Sequence, residues 1–516
     1  MLIRTEDHLT SNTMKLNKKK KNKKKQEIRG NIMSEKLKLI FQMFFYFATG
    51  LTLLIGISYF LYNQSHIKRT YKQIVQVTEK KPTFLIYNKS NTTEHLKHIF
   101  IVLERLGFKP TTNKTQWDLL WSHEYPFVTL APVLKNLQSH QRINHFPGCG
   151  YITNKGHLST SEGRYIPKAF KMPKDKDYFL TYATLYPHKY FVKKSNSHRG
   201  IKVIKISDMN LTDTDFFVQE FIDRPYLIDN YKFDIGIYTV ITSIDPLRVY
   251  VYKGDVLLRF CPIEYYPFDS NNLDKYVIGD DYRPIWEVPS LKNYYIRFGF
   301  SMKDSLDAYI TSKGKDTQKI WSNIHEAIRE VALMKEGQIK EAIQRFGGGR
   351  NYFELVRFDF TLDEDLNVYT MEANMSPNLS SAHYPPNQLL YEQVLFNLFA
   401  LVGIGQRIKE NNFETRNKLG YEMEVATKNL VVLPKLCANC NDCFVIECQL
   451  CNPCFTPEIK IILSQSYKEH QNRMDFQRIF PPSIIDGMAL KDYTLRNQLL
   501  IRWYQGKCAL DHTWCI

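Results

Sequence analysis

Charge is missing where the chain is most apolar. No acidic or basic residue occurs in the 24-residue stretch LIFQMFFYFATGLTLLIGISYFLY from Leu39 to Tyr62. About 20 apolar residues cross a bilayer, so this stretch is expected to be a transmembrane helix. It lacks the short apolar core and small-residue cleavage site of a signal peptide. Acids are scarce just before it. Ahead of Leu39 there are twelve Lys/Arg, most of them between Lys18 and Lys25, against four acids, so half of the net charge of +16 sits in residues 1–38. The remainder is only moderately basic, which suits an acidic partner and gives no reason to invoke nucleic acid. The basic flank favours a cytoplasmic N-terminus, with 63–82 as a linker and the body on the far side. No internal repeat is present. Cysteine is nearly absent until the C-terminal region, which holds eight of the ten.

What is present argues for a folded α/β (α+β) protein: 44% of residues are apolar and 14% aromatic, over a length of 516 that can bury a large core. From PTFLIYN onward, short apolar runs alternate with turn signals. KFDIGIYTVITS, RVYVY and VLLRF read as consecutive hairpins of an antiparallel sheet. SNIHEAIREVALMKEGQIKEAIQRF reads as a long amphipathic helix closed by three glycines.

The chemistry-bearing residues cluster in that region. In FELVRFDFTLDEDLNVYTMEANMSPN the turn Asp363–Asn367 joins two strands and brings Asp359 opposite Glu372. Asn374, two residues on, shares the face of Glu372 because strand side chains alternate. Two carboxylates and an amide oxygen form an all-oxygen set of the kind Mg²⁺ takes, and a solvated hairpin face is the plain alternative. KFDIG puts Lys232 and Asp234 on one strand face, as would a surface ion pair. YFVKKSNSHRG ends a strand with Lys193 before a polar loop closed by Gly200, a way of wrapping phosphates.

The order of these pieces resembles an ATP-grasp site of the tubulin–tyrosine ligase-like family. The matching segments are INHFPG (143–148), FVKKSNSHRGIKVI (191–204), FVQEFIDRPYLID (217–229), KFDIGIYTVITSIDPLRVYVY (232–252), VLLRF (256–260), the hairpin at 353–380 and VLFNLFALVGI (394–404). The resemblance implies an ATP-grasp domain over 83–408, with 409–516 as a Cys-rich extension. It implies an ATP- and Mg²⁺-dependent ligase that joins an amino acid, here glutamate, to a carboxylate of an acidic protein tail, tubulin above all, through an acyl phosphate. By motif position Lys193 and Gly200 would hold phosphates, and Gln219, Glu220, Phe221 and Ile222 would line the adenine. Lys232 and Asp234 would contact nucleotide, Arg259 would face the reacting phosphate, and Asp359, Glu372 and Asn374 would hold the metal.

Three positions depart from the family pattern. Gly236 stands where the strand motif Lys-Phe-Asp-x-Arg expects arginine, Gly200 is followed by Ile201-Lys202 rather than x-Gly, and SNNLDKYVIGDDYRPIW (270–286) offers no His-Leu-Thr-Asn equivalent. A degenerate, nucleotide- or tubulin-binding relative is the rival expectation. Cys437, Cys440, Cys443, Cys448, Cys451 and Cys454 are spaced for either Zn²⁺ or disulfides. Sequons at Asn63, Asn88, Asn91, Asn113, Asn210, Asn374 and Asn378 also bear on the side of the membrane. A lumenal body would meet a substrate other than microtubules; a cytosolic one would meet tubulin.

Overall fold

A computed structural model describes residues 33, 35, 37–40, 42–64, 81–89, 93–195, 201–209, 211, 216–404, 425–440, 442–482 and 490–515. The chain divides into two compact units, Met1–Lys80 and Lys81–Ile516. In the first, helix α1 (Leu37–Gln64) is long and apolar enough, by length and composition, to cross a membrane. Its large apolar side chains, among them Phe44, Phe47, Leu53 and Phe60, are exposed.

The second unit holds three sheets. Strands β1 (Thr83–Tyr87), β2 (Lys109–Pro110), β3 (Leu119–Ser122) and β4 (Arg142–Ile143) form a parallel sheet in the order β2-β1-β3-β4. Helix α2 (Lys97–Arg105) buries Ile99, Val102 and Leu103 at helical spacing. A short helix α3 (Lys155–Ser159) begins at Asn154, whose side chain accepts from the His157 amide. The second sheet comprises β5 (Ala169–Lys171), β6 (Phe191–Ser195), β7 (Lys202–Ile204) and β8 (Phe216–Glu220), antiparallel, in the order β5-β8-β6-β7. Phe170, Phe191 and Phe216 on one of its faces pack with Phe179 of helix α4 (Lys176–Leu185).

The third sheet is built around a long strand. It contains β9 (Leu227–Ile228), β10 (Tyr231–Ile244), β11 (Leu247–Tyr252), β12 (Leu257–Phe260), β13 (Arg283–Pro284), β14 (Glu354–Leu362), β15 (Val368–Asn374) and β16 (Phe476–Phe480). The expected meander is only half right. β11 returns along the C-terminal half of β10, but β12 crosses to pair with its N-terminal half, Asp234 opposite Arg259. Strand β14 takes the other edge of β10, with Gly236 opposite Asp359. The long helix, α5 (Gln318–Gln344), buries Ile320, Ile324, Ile328, Val331 and Ile339 in the core; past it Gly347 and Gly348 take positive φ, which glycine does without strain.

The C-terminal region is built into this sheet. Its strand β16 pairs with β11, and helix α6 (Pro457–Asn472) supplies Glu469. The Glu469 carboxylate accepts from Arg248 at 2.8 and 3.1 Å, from Tyr250 at 3.0 Å and from Thr242 at 2.9 Å. A last helix, α7 (Leu495–Leu510), buries Leu500, Trp503 and Tyr504 beside Leu430 and Val432.

Zinc is ruled out at the cysteine cluster. The six sulfurs pair as Cys437–Cys451, Cys440–Cys448 and Cys443–Cys454, and Cys508 pairs with Cys515, so no thiolate is left there to coordinate a metal. Cys149 and Cys261 are free and buried. Alkylation under denaturing, non-reducing conditions is therefore expected to label two thiols per chain, and ten after reduction, by intact mass. Labelling of all ten before reduction would contradict the pairing.

Candidate active site

The site grows from strand register. On β10 every second side chain, Lys232, Asp234 and then Gly236, shares a face. β12 adds Arg259 beside Asp234, and β14 adds Asp359 beside Gly236 and Arg357 beside Tyr238. The next hairpin depends on a bulge. Leu362 pairs with Val368, and an unbroken ladder would put Met371 opposite Asp359; the register shifts between Asp359 and Phe360, so Glu372 pairs with Asp359 and Asn374 with Arg357. One extra residue thus turns a carboxylate and an amide onto the face that already carries the charges.

These charges are tied together. Arg259 holds Asp234 through Nε (3.0 Å) and Nη2 (2.6 Å), and Nη2 also reaches Asp359 Oδ2 at 2.8 Å. Arg357 grips Asp359 with Nε at 2.7 Å and Nη2 at 2.9 Å. Such fork-shaped pairs are among the stronger hydrogen bonds. The Asn374 amide donates to Asp359 at 2.9 Å and to Glu372 at 3.2 Å, which uses both of its hydrogens and leaves none for a glycan. Lys155, from α3, lies 3.1 Å from Glu372 Oε2.

Burial and charge set the protonation states. Burial pushes the Asp234 carboxyl up, Arg259 pulls against it, and it rests at about 6. Burial acts upward on Glu372 too, but Lys155 and Arg357 outweigh it and hold that carboxyl at about 2. Burial lowers the Lys194 ammonium to about 8 despite the attraction of Glu372, and lowers Lys232 as well. With Arg259, Arg357, Lys155, Lys194 and Lys232 around Asp234, Asp359 and Glu372, cations are in excess, which suits a polyanion such as a triphosphate.

Asp359, Glu372 and the side-chain oxygen of Asn374 suit a hard divalent cation. The Asn374 amide turns its Nδ2 toward both carboxylates, and Arg357, Arg259 and Lys155 already hold them. A cation bound here would therefore replace some of these donors and draw the amide oxygen round in place of the nitrogen. The pattern of the family described as "Tubulin-tyrosine ligase family" matches residues 134–411, more than half of the chain.

The chain belongs to the tubulin-tyrosine ligase family. This family member is 44% identical to "Probable tubulin polyglutamylase ttll-15" of Caenorhabditis elegans, over 85% of the chain and 87% of that relative. It is 25% identical to "Tubulin polyglutamylase TTLL6" of Mus musculus over 66% of the chain, and 25% identical to "Tubulin polyglutamylase TTLL7" of Homo sapiens over 82%. The matched regions cover 43% and 50% of those two longer proteins. Membership assigns the ATP-grasp-like fold to the matched region, residues 134–411.

The expected nucleotide residues of this tubulin-tyrosine ligase family member are only partly gathered. Lys232 is buried, with Nζ 2.8 Å from the Tyr276 carbonyl. Gln219 spans from the Pro167 carbonyl to Lys194, at 3.1 and 2.9 Å. Phe221 packs among Phe268 and Tyr276, and Ile222 is half-buried. Glu220 turns the other way, to Tyr182 and Lys189 beside α4, because it follows Gln219 on an alternating strand. The same alternation separates the lysine pair. Lys193 Nζ lies 4.1 Å from the centre of the Phe216 ring, whereas Lys194 faces Gln219 and Glu372. Gly200 lies outside the described residues. Sequence reading missed Lys194, Lys155 and Arg357. The doubled lysine was the one local signal, since one of the two had to face the cleft.

Proposed function

We propose that this chain is an ATP-dependent ligase that adds glutamate to acidic tails of tubulin. The observation that carries this reading is the pairing of Asp359 with Glu372, beside Asn374 and ringed by Arg259, Arg357 and Lys155. A tail carboxylate attacks the γ-phosphorus of ATP and ADP leaves, giving an acyl phosphate. The amine of glutamate then attacks the acyl carbon, phosphate departs, and the nitrogen loses a proton as the amide forms. Arg259 and Lys194 stabilise charge on the transferring group, and Lys232 holds nucleotide; positioning and electrostatics do most of the work in such transfers. Mg²⁺, held by Asp359, Glu372 and Asn374, would neutralise the phosphates. The name of the 44%-identical nematode relative supports tubulin as acceptor.

The test is incorporation of labelled glutamate into tubulin, dependent on ATP and on the chain. Glu372→Gln, which keeps the shape but removes the charge, is expected to lower it by about 100-fold or more, since even changes behind a metal's direct ligands cost about 10–100-fold. Undiminished incorporation by that variant would refute the site.

The four disulfides favour a second reading of the acceptor, because such bonds persist in oxidising compartments. In it α1 anchors the chain with its basic tail in the cytosol, and the same chemistry acts on an acidic protein on the far side. Protease protection of the body in intact vesicles supports this reading, and digestion from the cytosolic side returns the acceptor to tubulin.

A further inference from the structure

Gly236 is the departure that most threatens activity, because it removes a positive charge from the strand that carries Lys232 and Asp234. The space above it is filled. A Cβ built on Gly236 would lie 3.0 Å from Arg357 Cδ, 3.3 Å from Arg357 Nε and 3.3 Å from Asp359 Oδ1. The register explains why. Gly236 pairs with Asp359 and Tyr238 with Arg357, so the Arg357 side chain leans diagonally across the glycine on the shared face. Arg357 is buried at 5% exposure, and its grip on Asp359 uses Nε and Nη2, leaving Nη1 outside the fork.

We propose that Arg357, reaching across from β14, supplies the guanidinium that Gly236 lacks, serving the phosphoryl end of the nucleotide and fixing Asp359 at the same time. The assignment rests on the ligase reading above for its role in turnover, but its nucleotide-binding half stands apart from it. The glycine and the arginine are then a matched pair. A Cβ at 236 would crowd Arg357, which would have to give by a few tenths of an ångström. Without Arg357 the one guanidinium bonded to Asp359 among the described residues would be that of Arg259. The Arg357 charge also reaches Asp234 and Glu372, and acts to lower both carboxyls.

Four full-length variants test this: R357G, R357K, G236R and the relocation G236R/R357G. Each is assayed for glutamate ligation, for the ratio of ATP to ADP affinity by fluorescent-nucleotide displacement, and for melting temperature. R357G is expected to lose at least about 100-fold in ligation, below the range of arginines that act on transferring phosphoryl groups, and to lose most of its preference for ATP over ADP. R357K, which keeps charge without the fork, is expected to be intermediate. G236R alone is expected to be impaired by crowding, and the relocation to recover at least about 10-fold over R357G. An unchanged ATP-to-ADP ratio in R357G, or a relocation no better than R357G, overturns the proposal. If the wild-type chain ligates nothing, the ligase reading fails while the affinity ratio still decides Arg357. If R357G does not fold, the ratio measured on R357K decides.

Discussion

Asp359→Ala is expected to destabilise the folded body by about 3–5 kcal/mol, the usual consequence of removing one partner of a buried ion pair, and to abolish ligation. Asp359 is completely buried and holds Arg357, Arg259 and the Asn374 amide. Alanine would strand the Arg357 guanidinium, which is at 5% exposure, and would take from Arg259 one of its two carboxylate partners. Arg259 retains Asp234; Arg357 has no such second fork among its described contacts. Asp359→Asn keeps the shape and one acceptor, so its loss should be smaller, while ligation should still collapse because a neutral amide replaces a charged metal ligand. Urea unfolding of the three proteins, with and without Mg-ATP, checks both halves. Only the wild type should gain stability from the nucleotide with metal. A change under about 1 kcal/mol in Asp359→Ala would mean that the network does not hold the hairpin.

That dual role was only half visible in the chain. Period-two patterning and the turn at Asp363–Asn367 are local signals, so the hairpin and the face carrying Lys232 and Asp234 were legible. The bulge that keeps Glu372 in register, with Met371 left over, is a choice made by packing. Lys155 is more than 200 residues from Glu372 and sits on a one-turn helix with no pattern to announce it. Lys193 and Lys194 show the limit of alternation: it says that neighbours diverge, not which face borders the cleft. Arg357 was hidden for another reason. A charged residue in a strand reads as solvent-facing until a glycine on the neighbouring strand makes room for it. The pairing of six clustered cysteines was likewise closed to reading, since six allow fifteen connectivities.

Glu469→Ala carries the other large expected effect, again about 3–5 kcal/mol, although Glu469 lies far from the candidate site in sequence and belongs to the Cys-rich region. Arg248, at 3% exposure, has its charge met by Glu469, and two hydroxyls, of Thr242 and Tyr250, share the same carboxylate. The residue therefore joins α6 to β11 and to β10, the strand that continues into the active face. Replacing the ion pair by apolar residues, as in R248M/E469L, should recover only part of the loss. The pair itself can be exchanged at little cost, but each stranded hydroxyl would still cost about 1–3 kcal/mol. Truncation after residue 408 should be worse than either, because it also strips β16 from β11. Val249, Tyr250, Val251 and Tyr252 are buried now, and would then line an open, apolar sheet edge of the kind that aggregates. Equilibrium unfolding and size-exclusion chromatography separate these outcomes. A truncated chain that stays monomeric and binds nucleotide would show that the extension is an accessory, whereas insolubility together with a destabilised Glu469→Ala would make it part of the catalytic body.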